Sequence, residues 1–189
     1  MELNPFNTDI TNKIKIIIQD IIPKIKTDDE FCIVNENNKD WQYNTSKEYL
    51  DENKKFLLKN KEPYTNEYLL SFYDGTGTLL QDLLSLIQDL YPNKKTEISG
   101  HFYYPKEGYM GWHTNSGSHG KRLYITYASE DKKSFFRYLK DGQVITCYDN
   151  KGITIREFDI PEPPDYFWHC VGSECDRYSF GFKIQNIVE

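Results

Sequence analysis

The sequence has no apolar run approaching the roughly 20 residues that a membrane span requires, and the Ile16–Ile18 stretch is broken by Gln19 and Asp20. Met1–Asp9 carries neither a basic patch nor a following signal-peptide core, so neither secretion nor a membrane partner is expected. Positive charge is short as well. A net charge of −6 and a pI near 5.3 argue against nucleic acid as a partner, and a mean hydropathy of −0.71 describes a soluble chain. Cysteine is sparse: Cys32, Cys147, Cys170 and Cys175 include no CxxC and no second pair to complete a zinc spacing. A chain of 189 residues does not need disulfide staples, so reduced thiols and a cytoplasmic location are expected. Gly75-Thr76-Gly77-Thr78 lacks the spacing and the lysine of a phosphate loop and reads as a turn and helix cap. There is no internal repeat and no low-complexity tract.

Aromatic residues are plentiful, with 15 Tyr, 11 Phe and 3 Trp, and they favour strands. The first part of the chain nevertheless reads helical. Ile10, Ile14, Ile17, Ile18, Ile21 and Ile22 recur at helical spacing behind cap candidates at Thr8–Thr11, with Pro23 to end the run. Leu79, Leu80, Leu83, Leu84, Leu86 and Ile87 define a second amphipathic helix that stops at Pro92. Residues 28–63 are rich in Asn, Asp and Lys and give no clear pattern. From about Ser99 the texture changes to eight short aromatic and β-branched runs: 101–104, 109–114, 123–127, 135–139, 144–148, 153–158, 166–171 and 178–184. Turn residues separate them, which predicts a sandwich, jelly roll or barrel. The expected organisation is a helical support over 1–98 and a β core over 99–189, integrated as one domain.

All 4 histidines fall in the β half. His113 and Asn115 are two apart, so an extended chain points both the same way. A second imidazole, His169, lies on a distant strand, and Arg177 and Ser179 share a face on the strand after it. Two imidazoles and an oxygen donor make a facial three-point metal site, the arrangement that with a carboxylate marks non-haem iron(II) oxygenases. A forked guanidinium and a hydroxyl on the next strand suit a dicarboxylate cosubstrate. At His113-Thr114-Asn115, His169 and Arg177-Tyr178-Ser179 the sequence resembles the iron(II)- and 2-oxoglutarate-dependent dioxygenase superfamily, in its prolyl-hydroxylase-like branch. The resemblance covers about residues 99–184. It implies a double-stranded β-helix of the jelly-roll or cupin-like kind backed by helices. It also implies Fe(II) on His113, His169 and Asn115, and 2-oxoglutarate with its far carboxylate on Arg177 and Ser179. A tyrosine on the third strand is implied as a helper; Tyr127 is assigned ahead of Tyr103 and Tyr124, on the expectation that Leu123, Ile125 and Tyr127 face inward. The implied activity is hydroxylation of a protein side chain or a small molecule.

Asn115 departs from the family pattern, which has a carboxylate there. A neutral amide oxygen lacks the charge attraction to a divalent cation. Three readings follow: a weakly held but active iron, a third ligand from elsewhere such as His119, or a pseudo-oxygenase that serves as a jelly-roll binding module. A cupin-type metalloprotein is a further alternative, against which the Arg177–Ser179 pair counts. Trp112, Trp168 and Cys170 alternate with the site histidines and are expected to point outward into a second layer. Substrate specificity is expected in residues 28–63 and in the loops at 115–121 and 161–166.

Overall fold

The computed structural model describes residues 1–34, 40–57, 65–73 and 78–187, with backbone alone for 26–34 and 72–73. Among these residues, eleven strands and four α-helices run in the order β1 (Glu2–Leu3), α1 (Thr8–Ile21), β2 (Lys26–Val34), α2 (Trp41–Asn44), α3 (Lys47–Leu57), β3 (Glu67–Tyr73) and α4 (Gln81–Leu90). Then come β4 (Lys94–Tyr104), β5 (Tyr109–His113), β6 (Gly120–Ala128), β7 (Ser134–Lys140), β8 (Gln143–Tyr148), β9 (Gly152–Ile160), β10 (His169–Ser173) and β11 (Arg177–Asn186). All eight strands expected from the sequence are present. The first 98 residues also supply β1, β2 and β3, whose strand character comes from pairing with distant partners rather than from their own pattern. Part of the unassigned 28–63 stretch, and Gly75–Gly77 of the expected cap, lie outside the described residues.

Every pairing is antiparallel, and the sheet order is β1-β9-β6-β11-β4-β3-β5-β10-β7-β8, with β2 also on β3. The sheet curls, because strands far apart in this order line one interior pocket. A broad limb (β9, β6, β11, β4) faces a narrow limb (β5, β10, β7, β8), and β3 bridges them by pairing Leu70 with Tyr103 and Tyr68 with Tyr109. The result is a mainly β jelly roll. Its hairpins use the turn chemistry the sequence carries: between β7 and β8, Asp141 and Gly142 both take positive φ, at 50° and 75°, as a two-residue hairpin turn needs.

Three apolar clusters hold the layers. Outside the broad limb, Ile14, Ile18 and Ile21 of α1 and Leu83 and Ile87 of α4 bury against Leu123, Ile125, Ile155, Phe180 and Phe182. Full burial of one such side chain contributes about 1.5–3 kcal/mol. The expected helix around Ile10–Ile22 begins at Thr8 and is capped one residue before the expected candidates, with the Asn7 side chain accepting from the Ile10 amide at 3.0 Å. Between the limbs lie Leu69, Tyr104, Phe136, Phe158, Ile160 and Val171. Outside the narrow limb, Tyr49 and Leu50 of α3 cover Trp112, Trp168 and Cys170, so these three face outward as their alternation predicts.

Candidate metal centre and pocket

His113 ends β5 and His169 begins β10, and the two are opposed in the strand register. Residues directly across an antiparallel pair project to the same side, so their rings meet with centroids 4.1 Å apart. His169 is 1% exposed, while His113 reaches the pocket rim. The Nδ1 of His113 lies 2.8 Å from the Gly111 carbonyl, and that of His169 lies 2.9 Å from the Phe167 carbonyl. A carbonyl only accepts, so each Nδ1 carries the proton and each Nε2 keeps its lone pair. Burial lowers both pKa values, that of His169 well below the ordinary value with His113 adding to the effect, so both rings are neutral near pH 7.

The chain turns sharply after β5. Asn115 takes the left-handed conformation (φ 53°, ψ 25°), which asparagine tolerates better than most residues, and opens the short 3-10 turn Ser116–Ser118. Arg122 on β6 pins that turn by donating to the Ser118 carbonyl and hydroxyl. Asn115 is thereby folded back, with its Nδ2 3.2 Å from Nε2 of His169. His113, Asn115 and His169 thus converge. His119 instead lies on the surface, 3.4 Å from Glu162, away from the pair. Among the described residues no group of three His, Cys, Asp or Glu converges, so the third donor beside the imidazoles is the amide.

A pocket of about 140 Å³ runs from the histidine pair into the space between the limbs, with Tyr104, Tyr124, Met110 and Ser179 on its walls. At roughly 10–15 Å³ per water-sized group, it has room for a small organic acid and not for a folded partner. Ser179 projects into it from β11. Tyr127 does not: it packs on the helix-covered face near Tyr178, with ring centroids 6.3 Å apart. The apolar alternation Leu123, Ile125, Tyr127 marks the face buried under α1 and α4, and the inward face of β6 carries Arg122, Tyr124 and Thr126 instead. Tyr124 therefore occupies the pocket wall for which the sequence points to Tyr127.

Arg177 is 1% exposed and already engaged. Its Nε donates to Asp149 Oδ2 at 3.0 Å, Nη2 donates to Thr126 Oγ1 at 3.1 Å, and the guanidinium lies over the Tyr104 ring, 4.9 Å from its centroid. Arg156 Nη1 sits 2.6 Å from the other Asp149 oxygen, and Ser134 donates to Asp149 at 2.5 Å. Burial would raise the Asp149 pKa, but the two guanidiniums outweigh it and hold the carboxyl below its usual value. Two buried cations on one buried anion leave one positive charge in excess, and Arg177 Nη1 has no hydrogen-bond partner among the described residues. Asp149 and Arg156 have no sequence signal of this role; Asp149 reads as one residue of the 149–152 turn.

No family model matches the chain, and no curated protein matches it. Among solved structures it is similar to a prolyl-4-hydroxylase from Pseudomonas putida, at 12% identity and a TM-score of 0.47, over 92% of this chain and 99% of that one. It is similar also to a prolyl hydroxylase from Trichoplax adhaerens in complex with a hypoxia-inducible-factor peptide, at 12% identity and a TM-score of 0.44, over 96% and 94% of the two chains. A third match, at 13% identity and a TM-score of 0.41 over 65% of each chain, is an oxidoreductase of the 2OG-Fe(II) oxygenase family from Burkholderia pseudomallei.

Proposed function

We propose that the chain is an iron(II)- and 2-oxoglutarate-dependent oxygenase that hydroxylates a protein side chain or a small molecule. The observation that carries this reading is the paired tautomer of His113 and His169. Both Nδ1 protons are committed to backbone carbonyls, which leaves two Nε2 lone pairs beside each other at the mouth of a pocket. Neutral imidazole suits iron, and a rotated Asn115 amide would offer its oxygen as the third donor. Iron(II) held there supplies dioxygen activation coupled to decarboxylation of the oxoacid.

The chain's own residues do the rest. The donor set of the pocket fits a small dicarboxylate: its near end at the histidines, and its far carboxylate by the Ser179, Tyr104 and Tyr124 side chains, with the excess charge of the Arg177–Asp149–Arg156 group behind them. Arg177 acts here as a field and a single free Nη1 donor rather than as an open fork, because Asp149 already takes its Nε. The aromatic walls exclude water, which strengthens each of these interactions. A second reading, a non-catalytic jelly-roll binding module, is favoured by one contact: Asn115 Nδ2 faces the His169 lone pair, so the site closes on itself without a metal.

Anaerobic titration with iron(II), alone and with 2-oxoglutarate, separates the two. The expected result is saturable iron binding that is abolished in His169→Ala, and a visible charge-transfer band that forms only when both ligands are present. Unchanged iron affinity in a His169→Ala protein that still melts cooperatively overturns the assignment, and absence of binding in the parent favours the binding module.

A further inference from the structure

A second cavity, a groove of about 440 Å³, adjoins the histidine pocket at His113. Its lining includes Leu57, Glu67, Met110, His113 and Asn115. Met110, His113 and Asn115 also line the inner pocket, so the two spaces share a wall. Glu67 is the first residue of β3 and stands opposite Met110 in the register, which puts both side chains on one face of the sheet. Its carboxylate is half-buried and has no ion pair or hydrogen bond among the described residues. Nor does it join the histidines as a ligand, since no third acidic group converges with them among those residues.

We propose that this groove receives a basic side chain of the substrate, lysine or arginine, whose cationic head pairs with Glu67. The inference rests on the oxygenase reading and names its substrate class. A carboxylate withdrawn from water without a partner is unfavourable, and a cation completes it. Leu57 and Met110 supply apolar contact for the methylene stem that precedes such a head, while hydroxyls of Thr65, Thr114 and Ser116 border the groove. A side chain held in this way lays its stem against His113 and Asn115, where a C–H bond would have to lie for oxidation. The net charge of −6 favours approach of a cation over an anion.

The probes are Nα-acetyl-lysine methylamide, its uncharged isostere Nα-acetyl-norleucine methylamide, and free lysine, titrated by calorimetry into the full chain loaded with manganese(II). The expected result is tighter binding of the capped lysine than of norleucine by about ten- to a hundredfold, the effect of one charge-assisted pair. Glu67→Gln should erase that preference with manganese affinity unchanged, and Glu67→Lys should shift the preference to Nα-acetyl-glutamate methylamide, which also guards against a misfolded first variant. Binding of free lysine as well as the capped form identifies a free amino acid, and binding of the capped form alone identifies a residue within a chain; both uphold the proposal. Equal affinity for lysine and norleucine, or a lysine preference that survives Glu67→Gln, overturns it while manganese still binds. Loss of manganese binding itself reports on the oxygenase reading, and the lysine titration without metal still tests Glu67.

Discussion

Over the broad limb, α1 and α4 meet the sheet mainly through isoleucine and leucine side chains, with one polar tie near the end of α4, where Gln88 accepts from the Thr96 amide at 3.1 Å and hydroxyl at 2.8 Å. Over the narrow limb, α2 and α3 add a set of buried amides to a smaller apolar patch. Asn66 donates to Asn44 at 2.8 Å and to the Tyr49 hydroxyl at 2.9 Å, Asn44 donates to the Tyr109 hydroxyl at 3.2 Å, and Asn53 donates to the Trp112 carbonyl at 3.3 Å. The Gly111 amide donates to the Asn66 carbonyl at 2.8 Å, and a Cβ on Gly111 would stand 2.8 Å from that oxygen, so the strand can approach only as glycine. Apolar contact is non-directional and tolerates sliding, whereas hydrogen bonds fix angle and distance. The cover that lies behind His113 is stitched by several buried amides, and the cover far from the site is held mainly by apolar contact. The contrast suggests that stability resides chiefly in the first and positioning in the second.

The largest effect should come from the apolar cover. Leu83→Ala, at a fully buried position of α4, is expected to lower unfolding free energy by about 2–5 kcal/mol. Metal affinity of the folded fraction should stay as it was; urea titration and metal titration at low temperature read the two quantities separately. A loss of metal affinity as large as the loss of stability would erase the contrast.

Asn66→Ala should do the reverse. Removing the amide deprives Asn44 and Tyr49 of one partner each and should reduce stability by about 1–3 kcal/mol. Manganese affinity should fall as well, because β5 is no longer fixed against α2 and α3. The same two titrations check this, and an Asn66→Ala protein with full metal affinity would show that β5 needs no such stitching.

The smallest effect sharpens the comparison within one helix. Ile16 of α1 is 66% exposed although it sits in the same isoleucine run as the fully buried Ile14 and Ile18. Ile16→Ser should change the denaturation midpoint by no more than about 0.5 kcal/mol in free energy. A drop comparable to that of Leu83→Ala would mean that the exposed face of α1 is covered in solution.

The same contrast explains how much could be read from the sequence. Where burial is apolar, periodicity reports it, and so α1, α4 and the eight strands from β4 to β11 are visible as patterns. The cover made of Asn44, Asn53 and Asn66 looks like polar loop, because an amide buried by its hydrogen bonds is the same residue as one in water. β3 is likewise silent, since its pairing with β4 and β5 is non-local. His113 and His169 oppose each other in the strand register, but Asn115 reaches them by a left-handed turn after β5 and not along the extended strand that the two-residue spacing assumes. The face of β6 is misread from the sequence: with helices outside and a pocket inside, the apolar alternates point out, and the assignment slips by one face from Tyr124 to Tyr127. Arg177 reads as an open guanidinium because its partner, Asp149, lies 28 residues earlier in what looks like an ordinary turn.

His169 sits in an aromatic slot. Phe136 stacks on it at 5.4 Å with rings inclined by 26°, Phe167 lies at 5.3 Å, and Phe158 closes the edge at 5.9 Å. With Nδ1 tied to the Phe167 carbonyl as well, the ring is restrained by contacts on its faces, its edge and one nitrogen. The conformational entropy of that side chain is therefore largely surrendered when the chain folds, and whatever binds at Nε2 has little of it left to remove. A ligand at this atom meets a fixed point, and its affinity is set by chemistry and reach rather than by the ordering of its host.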